Sequence, residues 1–261
     1  MELRRQKLMR YIVPLREGGS LPALGEADDG FRYAVKLLGA GHGTKSLIAE
    51  LVGGLVAKAF KFKVPELVLL DLDHLFGITE PDAEIQELLR KSEGLNLGLH
   101  FLDRATTFDP AVNTIDPLIA SKIVWLDAFL TNVDRSRLNP NMMNWNNEVW
   151  LIDHGAALYF HHSWRPVEEA IADPFPYIRH HALLPFATRL EEADKLMRQA
   201  ITPRTLSKIT DLIPEVWLNE PGSDITASER RETYRRFLTG RLANTHSFVE
   251  RAKQERLLLS R

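Results

Sequence analysis

The sequence of 261 residues contains no cysteine, which excludes disulfide bridges, a thiolate nucleophile and zinc sites built on thiolates. It has no surplus of either charge, because 33 Lys and Arg stand against 35 Asp and Glu, for a formal net charge of −2. This balance argues against a general nucleic-acid coat, which needs a basic surplus. No apolar run reaches the roughly 20 residues that a membrane span requires, and the basic start lacks the apolar core of a signal peptide. We therefore expect a cytoplasmic protein.

The composition is that of an ordinary globular protein, with 44% hydrophobic and 26% charged residues. There is no internal repeat and no low-complexity segment, so repeat architectures are set aside. The first hundred residues predict strands with one helix, and the rest is mostly helical. We predict an α+β fold of two lobes with a cleft between them, divided into an N-terminal lobe over residues 1–98 and a C-terminal lobe over residues 99–261.

Hydrophobic patterns locate the elements of the first lobe. They predict strands at Tyr11–Leu15, Phe31–Leu37 and Leu67–Leu72. Between the last two strands, a glycine-rich loop at Gly39–Gly43 precedes a helix over about Thr44–Phe60, whose apolar residues form one stripe.

The second lobe begins with a predicted core helix over Pro117–Leu130. A hairpin follows, with strands at Met142–Trp145 and Val149–Ile152 around a turn-forming pair of asparagines. Further along the chain, amphipathic patterns predict helices at Leu190–Ala200, Pro203–Leu212 and Ser228–Lys253.

Two polar segments around the hairpin indicate a reaction. Asp134 lies in a polar loop that also holds Asn139 and Asn141, and Asp153 follows the second hairpin strand. Such oxygen donors suit Mg²⁺, which takes one or two protein carboxylates and completes its shell with phosphate oxygens and water. In phosphoryl transfer one Asp orients the acceptor hydroxyl, while an Asn and a second Asp hold the metal. Asp134 fits the first role, and Asp153 with Asn139 or Asn141 fits the second.

In these segments the sequence resembles the HipA-like kinases, which are related in architecture to protein kinases and phosphoinositide kinases. The match to the catalytic loop is Asp134-Arg135, with Asn139 five residues after the Asp. The match to the metal-binding loop is Ile152-Asp153-His154-Gly155, in which the His replaces the more familiar Phe. Ser136 departs from the basic residue or His usual after Asp-Arg. The resemblance implies a bilobal kinase-like fold, with a strand-rich N-lobe that has one main helix and a mostly helical C-lobe.

The identity of the metal-binding asparagine stays open between two candidates. Asn139 has the family spacing, but it precedes Pro140, which biases it towards an extended conformation. Asn141 comes directly before the hydrophobic strand, as the family's metal-binding asparagine does. The strand argument favours Asn141 slightly.

The first lobe resembles the phosphate-binding side of a kinase. Ala34-Val35-Lys36 is similar to the kinase strand whose lysine holds the α and β phosphates of ATP. Glu50 lies on the following helix, where kinases place the glutamate that pairs with that lysine. Gly53 and Gly54 lie one turn further along the helix and leave room for another segment to approach.

Two glycine loops are candidates for covering ATP. Gly18-Gly19-Ser20 lies between the first two predicted strands, as the phosphate-covering loop of kinases does. Gly39–Gly43 fails both the Walker and the dinucleotide patterns, although its amides precede a helix. Position therefore favours the first loop. We expect adenine beside the connecting segment Gly94–Phe101, where backbone groups such as those of Leu97 and Leu99 can supply hydrogen bonds.

The sequence thus predicts an ATP- and Mg²⁺-dependent phosphotransferase that resembles HipA-like Ser/Thr protein kinases. Its acceptor is a hydroxyl group of a protein Ser or Thr or of a small molecule. An inactive nucleotide-binding pseudokinase or regulatory module is the alternative, because Ser136 and the two candidate asparagines depart from the family pattern. The family also includes toxins with DNA-binding antitoxin partners, which no residue here supports. Zinc is not favoured by the spacing of His154, His161, His162, His180 and His181.

Overall fold

A computed structural model describes residues 2–14, 23–78, 80–220 and 222–259. The strands of its first part are β1 (Arg4–Pro14), β2 (Ala23–Ala27), β3 (Arg32–Lys36), β4 (Leu67–Leu72) and β5 (Gly94–His100). They close a barrel in the order β1-β2-β3-β5-β4, in which β1 and β4 run parallel and the other neighbours antiparallel. The predicted strands are present, and β1 begins seven residues earlier than predicted.

The alternation of β3 decides which side chains enter the barrel. Tyr33 and Val35 are fully buried in its apolar interior, together with Leu8, Val68 and Leu70. Because side chains alternate along a strand, Ala34 and Lys36 lie on the outer face of β3. This places the lysine outside the barrel and on the side of the following helix.

Helix α1 (Thr44–Ala59) is buried on almost all sides, from Leu47 to Ala57. Its apolar residues belong to the same core as the helices of the second lobe. Phe60, which ends α1, packs against Trp125 with ring centroids 5.4 Å apart. A shorter helix, α2 (Ala83–Lys91), was not predicted, and the carboxylate of Asp82 caps its first amides.

The second lobe combines helices with a small sheet. The sheet has the order β6-β7-β8, with β6 (Thr106–Thr107), β7 (Met142–Trp145) and β8 (Glu148–Leu151). The helices are α3 (Pro117–Leu130), α4 (Val167–Ala172), α5 (Leu190–Ala200), α6 (Pro203–Asp211), α7 (Glu215–Leu218), α8 (Ala227–Ala243) and α9 (Thr245–Leu259), with 3-10 turns at Tyr159–His162, Pro176–His180 and Leu184–Phe186. The predicted helix Ser228–Lys253 is therefore two helices, because Asn244 leaves the helical conformation.

The α+β architecture is the one predicted, with a strand-rich first part and a helical second part. The connection between them differs from the expectation. Gly94–His100 forms β5, a central strand of the barrel, so the predicted boundary at residue 98 falls inside a strand. Trp217 of α7 donates its indole N–H to the carbonyl of Leu95 at 3.0 Å, which ties β5 to the helical lobe.

Candidate active site

Lys36, Glu50 and Asp153 meet between the barrel and the second lobe. The Lys36 Nζ lies 2.8 Å from the Asp153 Oδ1 and 3.7 Å from the Glu50 Oε2. Lys36 ends β3, Glu50 lies on α1, and Asp153 follows β8. The exposed fractions of the three side chains are 10%, 1% and 26%, so Asp153 is the one that faces the cleft most openly. The structure thus brings together the three residues that sequence order alone had grouped.

The charges of this group stabilise one another. Burial acts to lower the pKa of Lys36, but the carboxylates of Glu50 and Asp153 raise it above its usual value. Burial acts to raise the pKa of Glu50, but Lys36 and His154 lower it below its usual range. Lys36 is therefore a cation and Glu50 an anion at neutral pH. Both oxygens of Glu50 are buried, and the partners that compensate this carboxylate are Lys36 and His154.

A glycine on α1 lets the helix approach the loop that carries Asp153. A Cβ added at Gly53 would lie 2.6 Å from the Cβ of His154. His154 is buried, and its Nδ1 lies 3.6 Å from the Glu50 Oε1. The close packing of Gly53 on His154 thus sets the distance between Glu50 and the loop.

We expect Gly53→Ala to lower both stability and turnover. The new methyl group meets a Cβ that cannot rotate away, so α1 has to move off the loop and Glu50 moves with it. Such overpacking costs about 1–3 kcal/mol, more than the roughly 0.5–1 kcal/mol by which Ala favours a helix over Gly. Urea unfolding and ATP turnover measure the two effects.

Gly54→Ala is the matched control. Its Cβ would lie 2.8 Å from the Leu67 Cδ1, the far end of a flexible side chain that can move aside. We expect this variant to keep its stability and turnover. Equal stability of the two variants would contradict the role assigned to Gly53.

Asp134 is held by a set of amides in the loop after α3. The Asn132 Oδ1 accepts a hydrogen bond from the Asp134 amide at 3.3 Å. The side-chain amides of Asn139 and Asn141 donate to the Asp134 Oδ2 at 2.7 and 3.2 Å. Both candidate asparagines therefore contact the predicted catalytic Asp, with the shorter contact from Asn139.

The pKa of Asp134 is raised above its usual value. Partial burial is the main cause, and the negative charge of Asp153 adds to it, while the hydrogen bonds from the two asparagines act against it. A carboxylate with a raised pKa is a better proton acceptor than an ordinary one.

A buried ion pair between Arg135 and Asp127 lies beneath the segments that carry Asp134 and Asp153. The Arg135 Nε donates to the Asp127 Oδ2 at 2.6 Å, and both side chains are fully buried. The same Asp127 oxygen lies 2.9 Å from the His181 Nε2. Arg135 also donates to the carbonyls of Asn141 and Ile152, one from each loop.

Arg135 therefore braces the loop that carries Asp134, and the sequence alone does not identify its partners. Asp127 sits in the apolar helix α3, where a lone carboxylate requires a cation. That signal is present in the sequence, whereas the position of His181 depends on the fold.

Asn141 lies beside Asp153 through the backbone of the hairpin. The Ile152 amide donates to the Asn141 carbonyl at 3.1 Å, so Asn141 is paired with the residue directly before Asp153. Both adopt positive φ angles, 48° for Asn141 and 52° for Asp153, a conformation that Asn and Asp tolerate better than most residues. The hairpin therefore brings Asn141 close to the metal-binding candidate.

The donor set around Asp153 fits a hard cation bound through phosphate. The Ser46 Oγ, the Asp153 Oδ1 and the Glu50 Oε2 lie 2.9, 3.4 and 3.6 Å from the position that a Cβ on Gly155 would take. Nothing in the sequence singled out Ser46. No group of three His, Cys, Asp or Glu residues in the described part of the chain is arranged to hold a metal ion by itself. Mg²⁺ needs only one or two protein carboxylates when phosphate and water complete its shell.

Leu97 and Leu99 lie differently from the prediction. Both are in β5, which is hydrogen-bonded to β3 on one edge and to β4 on the other, so this backbone is engaged in the sheet. Their side chains pair across the strands with Lys36 and Ala34, on the outer face that bears the lysine. The Phe101 amide donates to the Arg32 carbonyl, so Leu102 is the first residue beyond this pairing.

Only one of the two glycine loops lies within the described residues. Gly18, Gly19 and Ser20 lie outside the described residues. The other loop, Gly39–Gly43, lies at the start of α1 and is tied to the barrel by two hydrogen bonds. The Leu38 amide donates to the Asn96 Oδ1 at 2.7 Å, and the Gly39 amide to the Ser92 Oγ at 2.9 Å.

The chain is similar to proteins described as kinases. A family model described as HipA-like kinase matches residues 9–249. The crystal structure of the Helicobacter pylori proinflammatory kinase CtkA is similar with a TM-score of 0.55 at 12% identity, covering 99% of each chain. A Golgi casein kinase crystallised with Mn/ADP gives a TM-score of 0.48 at 14% identity, covering 98% of this chain and 74% of that one. No curated protein sequence matches. Within the described residues, no helix has the length and hydropathy to cross a membrane.

Proposed function

Since the chain belongs to the HipA-like kinase family, we propose that it is an ATP- and Mg²⁺-dependent phosphotransferase with a hydroxyl acceptor. The observation that carries this proposal is the contact of Lys36 with both Glu50 and Asp153, at 3.7 and 2.8 Å, in the cleft that also holds Asp134. A lysine fixed between two carboxylates is pre-organised to bind phosphate oxygens without moving. We assign Lys36 to the α and β phosphates and Glu50 to its positioning.

We assign Mg²⁺ to Asp153 and Asn141, because the hairpin pairs Asn141 with Ile152, the residue before Asp153. Asn139 is the alternative to Asn141. Mg²⁺ bound with ATP neutralises the charge that develops on the transferred phosphoryl group. The Ser46 hydroxyl and Glu50 extend the oxygen-rich surface on the α1 side.

We assign Asp134 to receive the proton of the acceptor. As the acceptor oxygen forms its bond to the γ-phosphorus, the bond between that phosphorus and the bridging oxygen of ADP breaks, and the hydroxyl proton passes to the Asp134 carboxylate. Hydrogen bonds from Asn139 and Asn141 keep this carboxylate in one orientation. Its raised pKa suits the proton transfer. The acceptor is a protein Ser or Thr or a small molecule.

We propose that adenine lies beside Ala34, which is half-buried and on the same face of β3 as Lys36, so that its phosphates lead towards the lysine. Leu97 and Leu99 share this face but are buried in the core with α1. We propose that backbone from Leu102 onward supplies the hydrogen bonds, instead of the paired backbone of β5. The loop Gly18-Gly19-Ser20 stays our candidate for covering the phosphates.

An inactive nucleotide-binding module remains the second candidate, because Ser136 replaces the basic residue of the family's catalytic loop. The structure gives Ser136 a local role, since its Oγ accepts a hydrogen bond from the Asn139 amide at 3.2 Å. This contact shapes the loop around Asp134 and requires no basic residue.

Release of ADP and transfer of the γ-phosphate, followed with labelled ATP and Mg²⁺, separate the two candidates. We expect Mg²⁺-dependent turnover that falls about 10²–10³-fold in Lys36→Met, because one fixed electrostatic contact is lost from the transition state. Lys58→Met, which changes an exposed lysine in the last turn of α1, is the control and should keep full turnover. Binding of Mg²⁺ and ATP with no turnover would instead identify the inactive module.

A further inference from the structure

Four basic or imidazole side chains gather at the start of α1, and the reaction described above uses none of them. The rings of His42 and His162 have centroids 4.6 Å apart, and those of His161 and His162 are also 4.6 Å apart. The Lys45 Nζ lies 3.4 Å from the His162 carbonyl oxygen. We call this group the α1 cluster.

The cluster surrounds an uncapped helix end. Helix α1 has 16 residues, its N-cap is Gly43, and no side chain accepts a hydrogen bond from its first amides. The first amides of a helix and its dipole favour a negative group at this position.

A buried, unpartnered nitrogen points independently to a ligand. His161 is fully buried, and its Nδ1 lies 2.9 Å from the Tyr234 hydroxyl. Its Nε2, on the opposite edge of the ring, has no hydrogen-bond partner. The ring of His161 stands nearly perpendicular to that of His162, with centroids 4.6 Å apart, so it lies against the cluster. Burial lowers the pKa of His161, and His162, Lys45 and His42 lower it further.

The charge of this region is positive. Among the ion pairs of the described residues, Lys45 is paired with Glu220 at 3.7 Å, and that carboxylate also pairs with the buried Arg230 at 2.7 Å. One anion thus faces two cations. Burial and the positive charge of its neighbours also lower the pKa of His162. The histidines do not form a metal site within the part of the chain that the structure describes. Neutral imidazole N–H groups beside a lysine are hydrogen-bond donors to an anion.

The cluster adjoins the reaction centre without belonging to it. Ser46, the residue after Lys45, has its Oγ 2.9 Å from the Cβ position of Gly155, at the loop that holds Asp153. His161 and His162 lie further along the same segment, after Gly155. The start of α1 therefore lies next to the loop that holds Asp153.

We propose that the α1 cluster binds a phosphate group carried by the acceptor, so that the substrate is an already phosphorylated molecule with a free hydroxyl. This assignment rests on the proposed phosphotransferase function. A phosphate dianion matches the number of donors: two cations close by, imidazole N–H groups and free helix amides. The nucleotide phosphates are assigned to Lys36, which lies on another element.

Histidine side-chain NMR of the full chain tests the site with inorganic phosphate as the probe. Saturating Mg²⁺ and ADP keep the nucleotide site filled, and chloride holds the ionic strength constant. We expect saturable shifts of the His42 and His162 ring signals and a rise in the pKa of His162. Lys45→Met and His42→Gln should each weaken phosphate binding about tenfold, the change that corresponds to losing one contact to a charged group. Lys58→Met, on the last turn of the same helix, should not change it.

Two further measurements identify the source of the phosphate and separate the anion site from the nucleotide site. O-phosphoserine that shifts the same signals supports an acceptor phosphate, whereas a site that binds inorganic phosphate alone overturns that assignment. Absence of saturable shifts, or equal binding by Lys45→Met, overturns the anion site itself. ADP binding is measured on the same sample, so a failure of the proposed nucleotide function is detected separately from a failure of the anion site.

Discussion

Asp153→Asn is expected to abolish phosphotransfer and to remove the Mg²⁺-dependent part of ADP affinity. The carboxylate is the group assigned to the metal, and it also lies 2.8 Å from the Lys36 Nζ. An amide of the same shape has no charge for either partner. Losing a group behind the metal ligands lowers metal affinity or activity roughly 10–100-fold, and losing a ligand itself should cost more. We therefore expect turnover to fall about 10³-fold or more.

Two measurements separate this effect from a loss of fold. Titration of ADP with and without Mg²⁺ reports the metal without requiring turnover, and thermal unfolding reports the fold. Asp224→Asn, at an exposed carboxylate of the second lobe, is the matched control and should behave as the unaltered protein. An Asp153→Asn protein that keeps turnover near the original rate would rule out the metal assignment.

The second large effect separates the two asparagines. Asn141→Ala is expected to lose nearly all turnover, because Asn141 is buried beside Asp153 and its amide also contacts Asp134 at 3.2 Å. Asn139→Ala removes the 2.7 Å hydrogen bond to Asp134 but leaves the hairpin intact, so it should keep a measurable fraction, about 1–10%. Titration of both variants with Mg²⁺ should show weaker Mg²⁺ binding only in Asn141→Ala.

The pH profile of Asn139→Ala gives an independent reading. Hydrogen bonds from the two asparagines lower the pKa of Asp134, so removal of one raises it further. Because the carboxylate has to be ionised to accept a proton, the acidic limb of the rate profile should move to higher pH. If Asn139→Ala is instead the inactive variant and Asn141→Ala keeps its Mg²⁺ dependence, the family spacing identifies the ligand and the hairpin argument is wrong.

Local patterns in the sequence were enough to predict much of the architecture. The alternation around Tyr33 and Val35 and the apolar pattern of Pro117–Leu130 depend on neighbours along the chain, and those elements are present as predicted. The first half of β1 was missed because it is basic. Its arginines face acidic partners on other segments, such as Arg5 with Asp71 at 2.6 Å, which no local pattern reveals.

In the site, too, local motifs were predictable and contacts between distant segments were not. The order of Lys36, Glu50, Asp134 and Asp153 along the chain resembles a known family, so their grouping was predictable from motifs. The contacts that hold them were not. His181 reaches Asp127 from 54 residues away, and Ser46 of α1 packs against Gly155 in the loop after β8. The paired edges of β5 likewise depend on barrel closure, which moved the expected adenine contacts from Leu97 and Leu99 towards Leu102.

The burial of α1 determines how firmly the Lys36–Asp153 contact is held. Because this helix shares its core with the helical lobe, through contacts such as Phe60 with Trp125, Glu50 and the loop of Asp153 form one rigid platform. Lys36 is carried by the barrel, on the other side of the cleft. A swing of α1 alone would expose the apolar side chains from Leu47 to Ala57. Leu67, Leu97 and Leu99 of the barrel belong to the same buried core as α1, so a tilt of the barrel would expose apolar surface as well. The Lys36–Asp153 contact is therefore held in place by packing on both sides of α1.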